Sequence, residues 1–333
     1  MEILRGLAAR GHEVVWYSGR ARSDMPTRLG SVQLIYGFRG LLVYMSGHFW
    51  LRKNHSKFDI VIDQINTFGF LAPWVTSRVV VLFHQLADDV WDAEVRWPFN
   101  LIGRFAETLM LNRYRRTPFI TMSHTTVMEM AHYGWQGSGY VAATGIDRIS
   151  VYEKTVYPSV CFLGRYQARA KRLDHAVKIF LEAKKHLPDL RFRAIGRGTP
   201  PMEFFDLEDV EFYSDVDDNW RDELLGSSWC CIVTSVREGW GRMVSEAGAM
   251  GTASLAYDVP GLRDSVVDGV TGLLVTPDIT VAANALVALL KDSDLLKKMG
   301  DSAQEMAQSM TWESTVDEFE RVLLTICADA DRL

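Results

Sequence analysis

The sequence has no run of about eighteen apolar residues, the length a helix needs to cross a bilayer, so a membrane-spanning chain is not expected. Cysteine is scarce: four occur, Cys161, Cys230, Cys231 and Cys327, in no spacing that holds a metal or implies a disulfide framework. Three of them lie in apolar, strand-like runs, which suits buried free thiols in a reducing cytosol. Strong charge of one sign is lacking too. The net charge is −6, with 16 Lys and Arg against 13 Asp and Glu through Glu153 and 20 against 29 beyond it. The positive excess of the first part is too mild for a nucleic-acid protein. No Gly-x-Ser-x-Gly elbow is present, and no convincing Gly-x-Gly-x-x-Gly follows the first strand-like run. Asp215-Val-Asp217 stands before a helical pattern and reads as capping rather than metal binding, so no catalytic metal is expected. The opening ten residues hold no long apolar core, so no signal peptide is expected either. What remains is a globular composition, 48% hydrophobic and 23% charged, over 333 residues, enough for two domains.

Strand-like and helix-like runs alternate along the chain, which argues for parallel α/β sheets. Strands are expected at Glu13–Tyr17, Val32–Tyr36, Asp59–Asp63, Val79–Phe83 and Pro118–Met122. In the second half they are expected at Ser159–Leu163, Arg191–Ile195, Val210–Phe212, Trp229–Val233 and Ala253–Ala256. Helices are expected at Glu2–Ala9, Arg172–His186, Asp222–Gly226, Arg242–Met250 and Thr280–Leu290. A terminal helix at about Trp312–Ile326 carries apolar residues at Val316, Phe319, Val322, Leu323 and Ile326, so it should pack on something. The two α/β blocks meet near Ile149–Pro158. These runs divide the chain into a first domain over 1–152, a second over 153–310 and a terminal helix over 311–333.

The most informative stretch is Thr234–Glu246. The apolar run Cys230-Cys-Ile-Val leads into the polar turn Arg237-Glu-Gly-Trp-Gly241, and a helical pattern with Met243, Ala247 and Met250 on one stripe follows. Strand, glycine turn and helix N-terminus together make an anion site, because free backbone N–H groups and the helix dipole point outward there. Glu238 and Glu246 would repel a phosphate. They make more sense as acceptors for the hydroxyls of a sugar and a ribose on either side of one, which implies a nucleotide-sugar site. Gly164-Arg165 and Lys171, after the first strand of the second block, offer a guanidinium fork and a mobile ammonium for phosphate oxygens.

Glu238 and Glu246, with seven residues between them, resemble the E-x7-E motif of retaining family-four glycosyltransferases of the GT-B fold, the glycosyl transferases group 1. The continuation Gly251–Val275 is similar to that family as well. The resemblance covers nearly the whole chain and is strongest over Glu238–Val275. It implies an α/β fold of GT-B type: two Rossmann-like domains whose parallel sheets face a cleft, with acceptor bound by the first and a nucleoside-diphosphate sugar by the second. It implies transfer of the sugar to an acceptor hydroxyl with retention, and a terminal helix crossing back toward the first domain. Glu246 would bind the ribose, Glu238 the donor sugar, and Arg165 and Lys171 the pyrophosphate. Gly164, Gly196 and the Gly241-Arg242 turn would complete the donor site. No cofactor and no metal are implied; the nucleotide sugar is substrate. Family members have a strand and a glycine-rich loop ahead of the first helix, so roughly 20 residues are expected upstream of this chain.

His84 closes the strand Val79–Phe83, where a polar side chain at the C-terminal end of a parallel strand faces the ligand crevice. The resemblance puts a histidine there against the donor sugar, alongside Glu238, Arg165 and Lys171 as catalytic groups; a histidine satisfied by backbone is the alternative. Asp63-Gln-Ile-Asn-Thr67 ends another strand and is a weaker candidate for touching acceptor. Arg169 and Arg172 read as surface. Two stretches, 44–53 and 96–116, combine aromatic and aliphatic residues with a basic end. They fit either ordinary helices filling the core or peripheral contact with anionic lipid, such as the inner face of a plasma membrane. A lipid-linked or saccharide acceptor and a role in polysaccharide or glycoconjugate synthesis are expected from the family. The rivals are a GT-B epimerase or phosphorylase, and a donor-binding but inactive fragment or scaffold.

Overall fold

A computed structural model describes residues 1–19 and 25–330; residues 331–333, the end of the expected terminal segment, lie outside the described residues. The first 145 residues run α1 (Glu2–Ala9), β1 (Val15–Gly19), β2 (Arg28–Leu29), β3 (Val32–Gly37), α2 (Leu42–Asn54), β4 (Val61–Ile65), β5 (Val79–Phe83), α3 (Asp88–Glu94), α4 (Phe99–Tyr114), β6 (Phe119–Thr121), α5 (His124–His132) and β7 (Gly139–Val141). The rest runs β8 (Ser159–Arg165), α6 (Leu173–Lys184), β9 (Arg191–Arg197), β10 (Val210–Ser214), α7 (Asp218–Ser227), β11 (Cys230–Val233), α8 (Arg242–Ala249), β12 (Ala253–Tyr257), α9 (Leu262–Ser265), β13 (Gly272–Val275), α10 (Ile279–Lys291), α11 (Ser293–Ser309) and α12 (Trp312–Ala330).

Two compact units result. The first comprises residues 1–87, 101–145 and the segment from Thr311 on; the second comprises Asp88–Asn100 and Ile146–Met310. The chain therefore changes unit at Gly145–Ile146, and the short segment carrying α3 packs with the second unit although it lies within the first third of the sequence.

In the second unit six parallel strands are ordered β10-β9-β8-β11-β12-β13. The chain lays down β8 first, adds β9 and β10 on one side, then crosses over and adds β11 to β13 on the other. The reversal falls between β8 and β11, which pair at Cys230↔Val160 and Cys231↔Cys161. Helices cover both faces of such a sheet, so its central strands are buried on both sides and read as continuous apolar runs. That is why Cys230–Val233 and Ala253–Tyr257 have no alternation and are buried throughout. Helix α6 turns Leu173, Ala176, Val177, Phe180 and Ala183 inward at helical spacing. The Phe180 and Phe192 rings lie 5.5 Å apart in this core, and burying each contributes roughly 1.5–3 kcal/mol.

The first unit holds two sheets. One is three-stranded, β1-β3-β2, with β1 parallel and β2 antiparallel to β3; the other is the parallel β4-β5-β6-β7. Both lean on one apolar cluster, in which Leu7 of α1 and Val316, Phe319, Val322 and Ile326 of α12 meet Val80, Ile120 and Val14. This is what the apolar spacing of the terminal helix serves: it is built into the first unit. Arg10 ties the pair down on the outside, with Nη1 2.8 Å from Glu320 and Nη2 2.5 Å from Asp317.

Most expected strands appear within two residues of their expected bounds, and Val79–Phe83 coincides. The elements not anticipated are β2, β7, β13, α3, α9 and α11. The three strands are two to four residues long, and each contains or adjoins a glycine. Helix α11 hides its buried positions, Leu296, Met299, Gly300, Ala303 and Ala307, among small residues that carry little hydropathy.

Candidate functional site

In an open parallel sheet, ligands bind outside the C-terminal ends of the strands where the strand order reverses. Here that place is formed by the loops after β8 and β11. The segments singled out in the sequence, Gly164–Lys171 and Thr234–Glu246, are those two loops.

Strand β8 ends at Gly164-Arg165, register-paired with Gly196-Arg197 of β9. A Cβ on Gly196 would sit 2.0 Å from the Gly164 carbonyl oxygen and 2.8 Å from the Tyr166 ring, so only glycine lets the two strand ends approach this closely. Arg165 is exposed at the tip. A short 3-10 turn, Arg169–Lys171, follows, and Arg172 adopts φ 50° as the chain enters α6.

The loop after β11 fixes that basic turn from beside it. Thr234 donates its hydroxyl to the carbonyls of Lys171 (3.0 Å) and Arg172 (2.8 Å). The Val236 N–H donates to Ala170 O at 2.8 Å. From the other side, the Ala170 N–H donates to Glu94 Oε1 of α3 at 2.8 Å. Every residue of Arg169–Arg172 is thus held by its backbone or by a direct neighbour, which leaves the side chains to work.

The Lys171 ammonium pairs with Glu238 Oε1, and the Ser235 hydroxyl donates to the same oxygen at 2.6 Å. Glu238 keeps 12% of its side-chain surface and Lys171 23%, so the pair sits half-shielded at the rim of the crevice rather than in the core. The backbone of Glu238 is clamped as well. Its N–H donates to Pro260 O at 3.0 Å, and a Cβ on Gly261, which has φ +80°, would lie 2.0 Å from the Glu238 carbonyl oxygen.

Gly241 is the residue before α8, so the first N–H groups of that helix open at the end of the turn. Arg242 reaches Glu246 Oε1 at 3.3 Å and Asp147 Oδ2 at 3.7 Å. Glu246 lies just past the first turn of α8 and retains 23% of its side-chain surface. Trp240 is pinned by its indole N–H to Ser245 Oγ at 2.8 Å. The structure therefore brings Gly164, Arg165, Lys171, Gly196, Glu238, Gly241, Arg242 and Glu246 to one end of one sheet.

Three features escaped sequence reading. Arg237, only 7% exposed, lies 3.8 Å from Asp88 Oδ2 and 3.7 Å from Asp89 Oδ2. Glu94 holds the basic turn, as above. Arg172, read as surface, contributes its carbonyl and its left-handed backbone. No local signal ties residues 88–94 to residues 170 and 237; only the fold does. Among the described residues no three His, Cys, Asp or Glu side chains converge as metal ligands. Asp217, as expected, caps a helix, accepting from the Trp220 N–H at 2.9 Å.

His84 belongs to the first unit. It follows β5, with its N–H on Ile65 O at 3.4 Å and its Nε2 2.7 Å from the Gln64 amide nitrogen. Partial burial pushes its pKa below the ordinary value of 6.5. Asp63 differs from expectation. It is 1% exposed and accepts from Phe70 N (3.0 Å), Ala72 N (3.1 Å) and the Tyr114 hydroxyl (2.6 Å). Its carboxylate organises the loop after β4 and is not open to an acceptor. Burial pushes its pKa up against the three donors that hold it down.

Residues 157–292 match the model of the glycosyl transferases group 1 family. The D-inositol 3-phosphate glycosyltransferase of Nocardia farcinica is 33% identical over 175 residues, 48% of this chain and 39% of that protein. The phosphatidyl-myo-inositol mannosyltransferase of Mycobacterium leprae is 26% identical over 77% of this chain and 69% of that protein. The chain thus spans about two fifths of the Nocardia relative's length and about two thirds of the Mycobacterium relative's. Among solved structures, sucrose-phosphate synthase from Thermosynechococcus elongatus superposes with a TM-score of 0.80 at 18% identity, covering 98% of this chain and 92% of that one. The α/β fold with parallel sheets is that of the GT-B glycosyltransferases, and residues 157–292 are similar to the glycosyl transferases group 1 family.

Proposed function

We propose that this protein is a retaining, metal-independent glycosyltransferase that moves a sugar from a nucleoside diphosphate to an acceptor hydroxyl. The observation that carries the reading is the Lys171–Glu238 pair at the strand-order reversal, with Glu246 at the start of the adjoining helix. Lys171, Arg165 and the open N–H groups of α8 supply positive potential where a pyrophosphate would lie. Glu238 and Glu246 supply acceptors on its two sides, for donor-sugar and ribose hydroxyls. In the reaction the bond between the anomeric carbon and the phosphate oxygen breaks and a bond to the acceptor oxygen forms on the same face. The acceptor's proton passes to the departing phosphate oxygen. The cations stabilise the charge that develops on that leaving group, the role a metal takes in other transferases. By the resemblance, His84 would meet the donor sugar. Buried free thiols at Cys161, Cys230 and Cys231 suit a reducing, cytoplasmic setting.

Two measurements test this. Thermal-shift assays with UDP, GDP, ADP and dTDP in EDTA should show stabilisation by one of them, lost in Glu246→Ala. At about 100-fold excess over the dissociation constant that stabilisation is about 2.7 kcal/mol. Incubation with the matching donor and candidate acceptors should then release nucleoside diphosphate and a glycoside. Rearranged donor, or sugar phosphate, would instead identify an epimerase or phosphorylase. Donor binding without turnover under any acceptor would identify a binding scaffold.

A further inference from the structure

Helices α2 and α4 of the first unit share a pattern the core does not explain. Each gives one face to the interior: Gly47 and Leu51 of α2, and Gly103, Glu107, Met110 and Tyr114 of α4, are buried. An ordinary amphipathic helix would be polar on its other face. Here the opposite face of each carries an apolar stripe at i, i+4, i+8 spacing. It runs Leu41, Met45, Phe49 along α2 and Leu101, Phe105, Leu109 along α4, with Leu41 77% and Phe105 66% exposed. Each stripe then ends in cations one turn on, Arg52 and Lys53 after Phe49, and Arg113, Arg115 and Arg116 after Leu109.

One exposed aromatic side chain touches both helices: Trp74, 59% exposed. Its ring lies 6.4 Å from that of His48 on α2, and the Arg113 guanidinium of α4 lies over it at 5.5 Å. The segment bearing Trp74 is anchored beneath: Leu71 N–H donates to the Tyr114 hydroxyl at 2.7 Å, and Tyr114 donates to Asp63. That segment is thereby tied to the buried Tyr114 and Asp63.

Charge decides the occupant. Between Leu41 and Lys57 there is no Asp or Glu, and between Leu101 and Arg116 the single acid is Glu107, which is buried and accepts from the Ala87 N–H at 2.9 Å. Arg115 and Arg116 donate to neutral oxygens, Gly134 O at 3.0 Å and Gln136 Oε1 at 3.4 Å, so no carboxylate offsets them in these bonds. Aliphatic and aromatic side chains flanked by arginine and lysine match the apolar boundary and the phosphates of an anionic bilayer.

We infer that the first unit docks on the surface of an anionic lipid bilayer, inserting the two apolar stripes and setting the cations at their ends on headgroup phosphates. No helix of the described residues is long and apolar enough to cross a membrane, so this contact is peripheral. It stands on the first unit alone and does not depend on the sugar chemistry of the second.

The test is co-sedimentation of the full chain with phosphatidylcholine vesicles, with and without phosphatidylglycerol, at low and high salt. Binding is expected only with phosphatidylglycerol and should weaken with salt. The triple variant Arg113→Gln, Arg115→Gln, Arg116→Gln should bind roughly 150-fold more weakly, about fivefold per cation. Phe49→Glu with Phe105→Glu should abolish binding. All replaced residues are exposed, and an unchanged far-ultraviolet spectrum and melting midpoint verify the fold of each variant. Failure of the wild type to sediment with anionic vesicles overturns the proposal. So does unchanged binding by the Phe49→Glu, Phe105→Glu variant, or a dimer that dissociates on these substitutions while vesicle binding is absent.

Discussion

Lys171 and Glu238 form an ion pair between the loops that follow β8 and β11, the two strands at which the sheet order reverses. In this pair each charge neutralises the other, while Arg165 stays exposed at the tip of β8. A donor with a pyrophosphate beside a hydroxylated sugar offers both groups a better match: oxygens for the ammonium and hydroxyls for the carboxylate.

Removing one partner should therefore affect substrate more than fold. In Lys171→Ala, the loss of a charge-assisted contact to phosphate, worth roughly 1.5–3 kcal/mol, predicts a fall in kcat/KM of roughly 10- to 150-fold. Because the pair is part-exposed, the melting midpoint should move little. Steady-state kinetics beside calorimetry checks this. A collapse in melting midpoint with donor affinity unchanged would mean the pair is structural.

Gly261 should matter through Glu238. An alanine there needs φ +80° and places its Cβ 2.0 Å from the Glu238 carbonyl oxygen, so the Pro260–Glu238 backbone contact has to open. Strain at such positions is of order 1–3 kcal/mol. Gly261→Ala should lower stability by about that amount and also lower donor affinity, whereas an alanine at Gly269 (φ +74°, open space around it) carries only the backbone cost. A parallel measurement of both variants by thermal melt and nucleotide titration separates the local strain from its effect on the site. Equal donor affinities would show that Glu238 tolerates the shift.

How far the sequence reached depends on what kind of contact was at stake. Glu238, Glu246, Gly241 and Lys171 could be read because strand, turn and helix start are consecutive there, and the physics of a helix N-terminus is local. Strand β5 was legible because Val79–Phe83 is an uninterrupted apolar run with a polar residue at its end. Glu94 and Arg237 could not be read: they meet their partners, Ala170 and the Asp88–Asp89 pair, only because a segment from the first third of the chain packs with the second unit. Asp63 misled for a related reason. A polar residue in a strand invites a functional reading, but its register in β4 turns it inward, onto two backbone N–H groups and Tyr114. Likewise the apolar residues of α2 and α4 fit either core or lipid contact in the sequence, and the fold shows which of them face outward.

Glu94 should act as a positioning residue. Its carboxylate holds the Ala170 N–H, one residue before Lys171, and touches no group expected to meet substrate. Glu94→Ala should raise KM for the donor several-fold, consistent with about 1 kcal/mol for one hydrogen bond to a charged acceptor at an exposed site. The turnover number should stay close to wild type. Glu94→Gln keeps an acceptor oxygen and should recover most of the affinity. A fall in turnover number with KM unchanged, or no recovery with glutamine, would place the role of Glu94 elsewhere.

His84 gives the pH prediction. Gln64 donates its amide to His84 Nε2 at 2.7 Å, which requires that nitrogen to be an unprotonated acceptor. Partial burial works in the same direction and lowers the pKa from 6.5. A base whose folded pKa is depressed binds fewer protons in the folded state than in the unfolded one. Its contribution to stability is therefore fully present above 6.5 and is lost as pH falls below that value toward the folded pKa. The imidazole resonance that disappears in His84→Asn should titrate with a midpoint below 6.5. In Gln64→Ala burial still acts but the donor is gone, so the midpoint should rise part of the way back. The stability difference between wild type and His84→Asn should be constant above pH 7 and shrink as the pH is lowered. A midpoint above 6.5 would mean that protonated His84 finds an acceptor that outweighs both burial and Gln64.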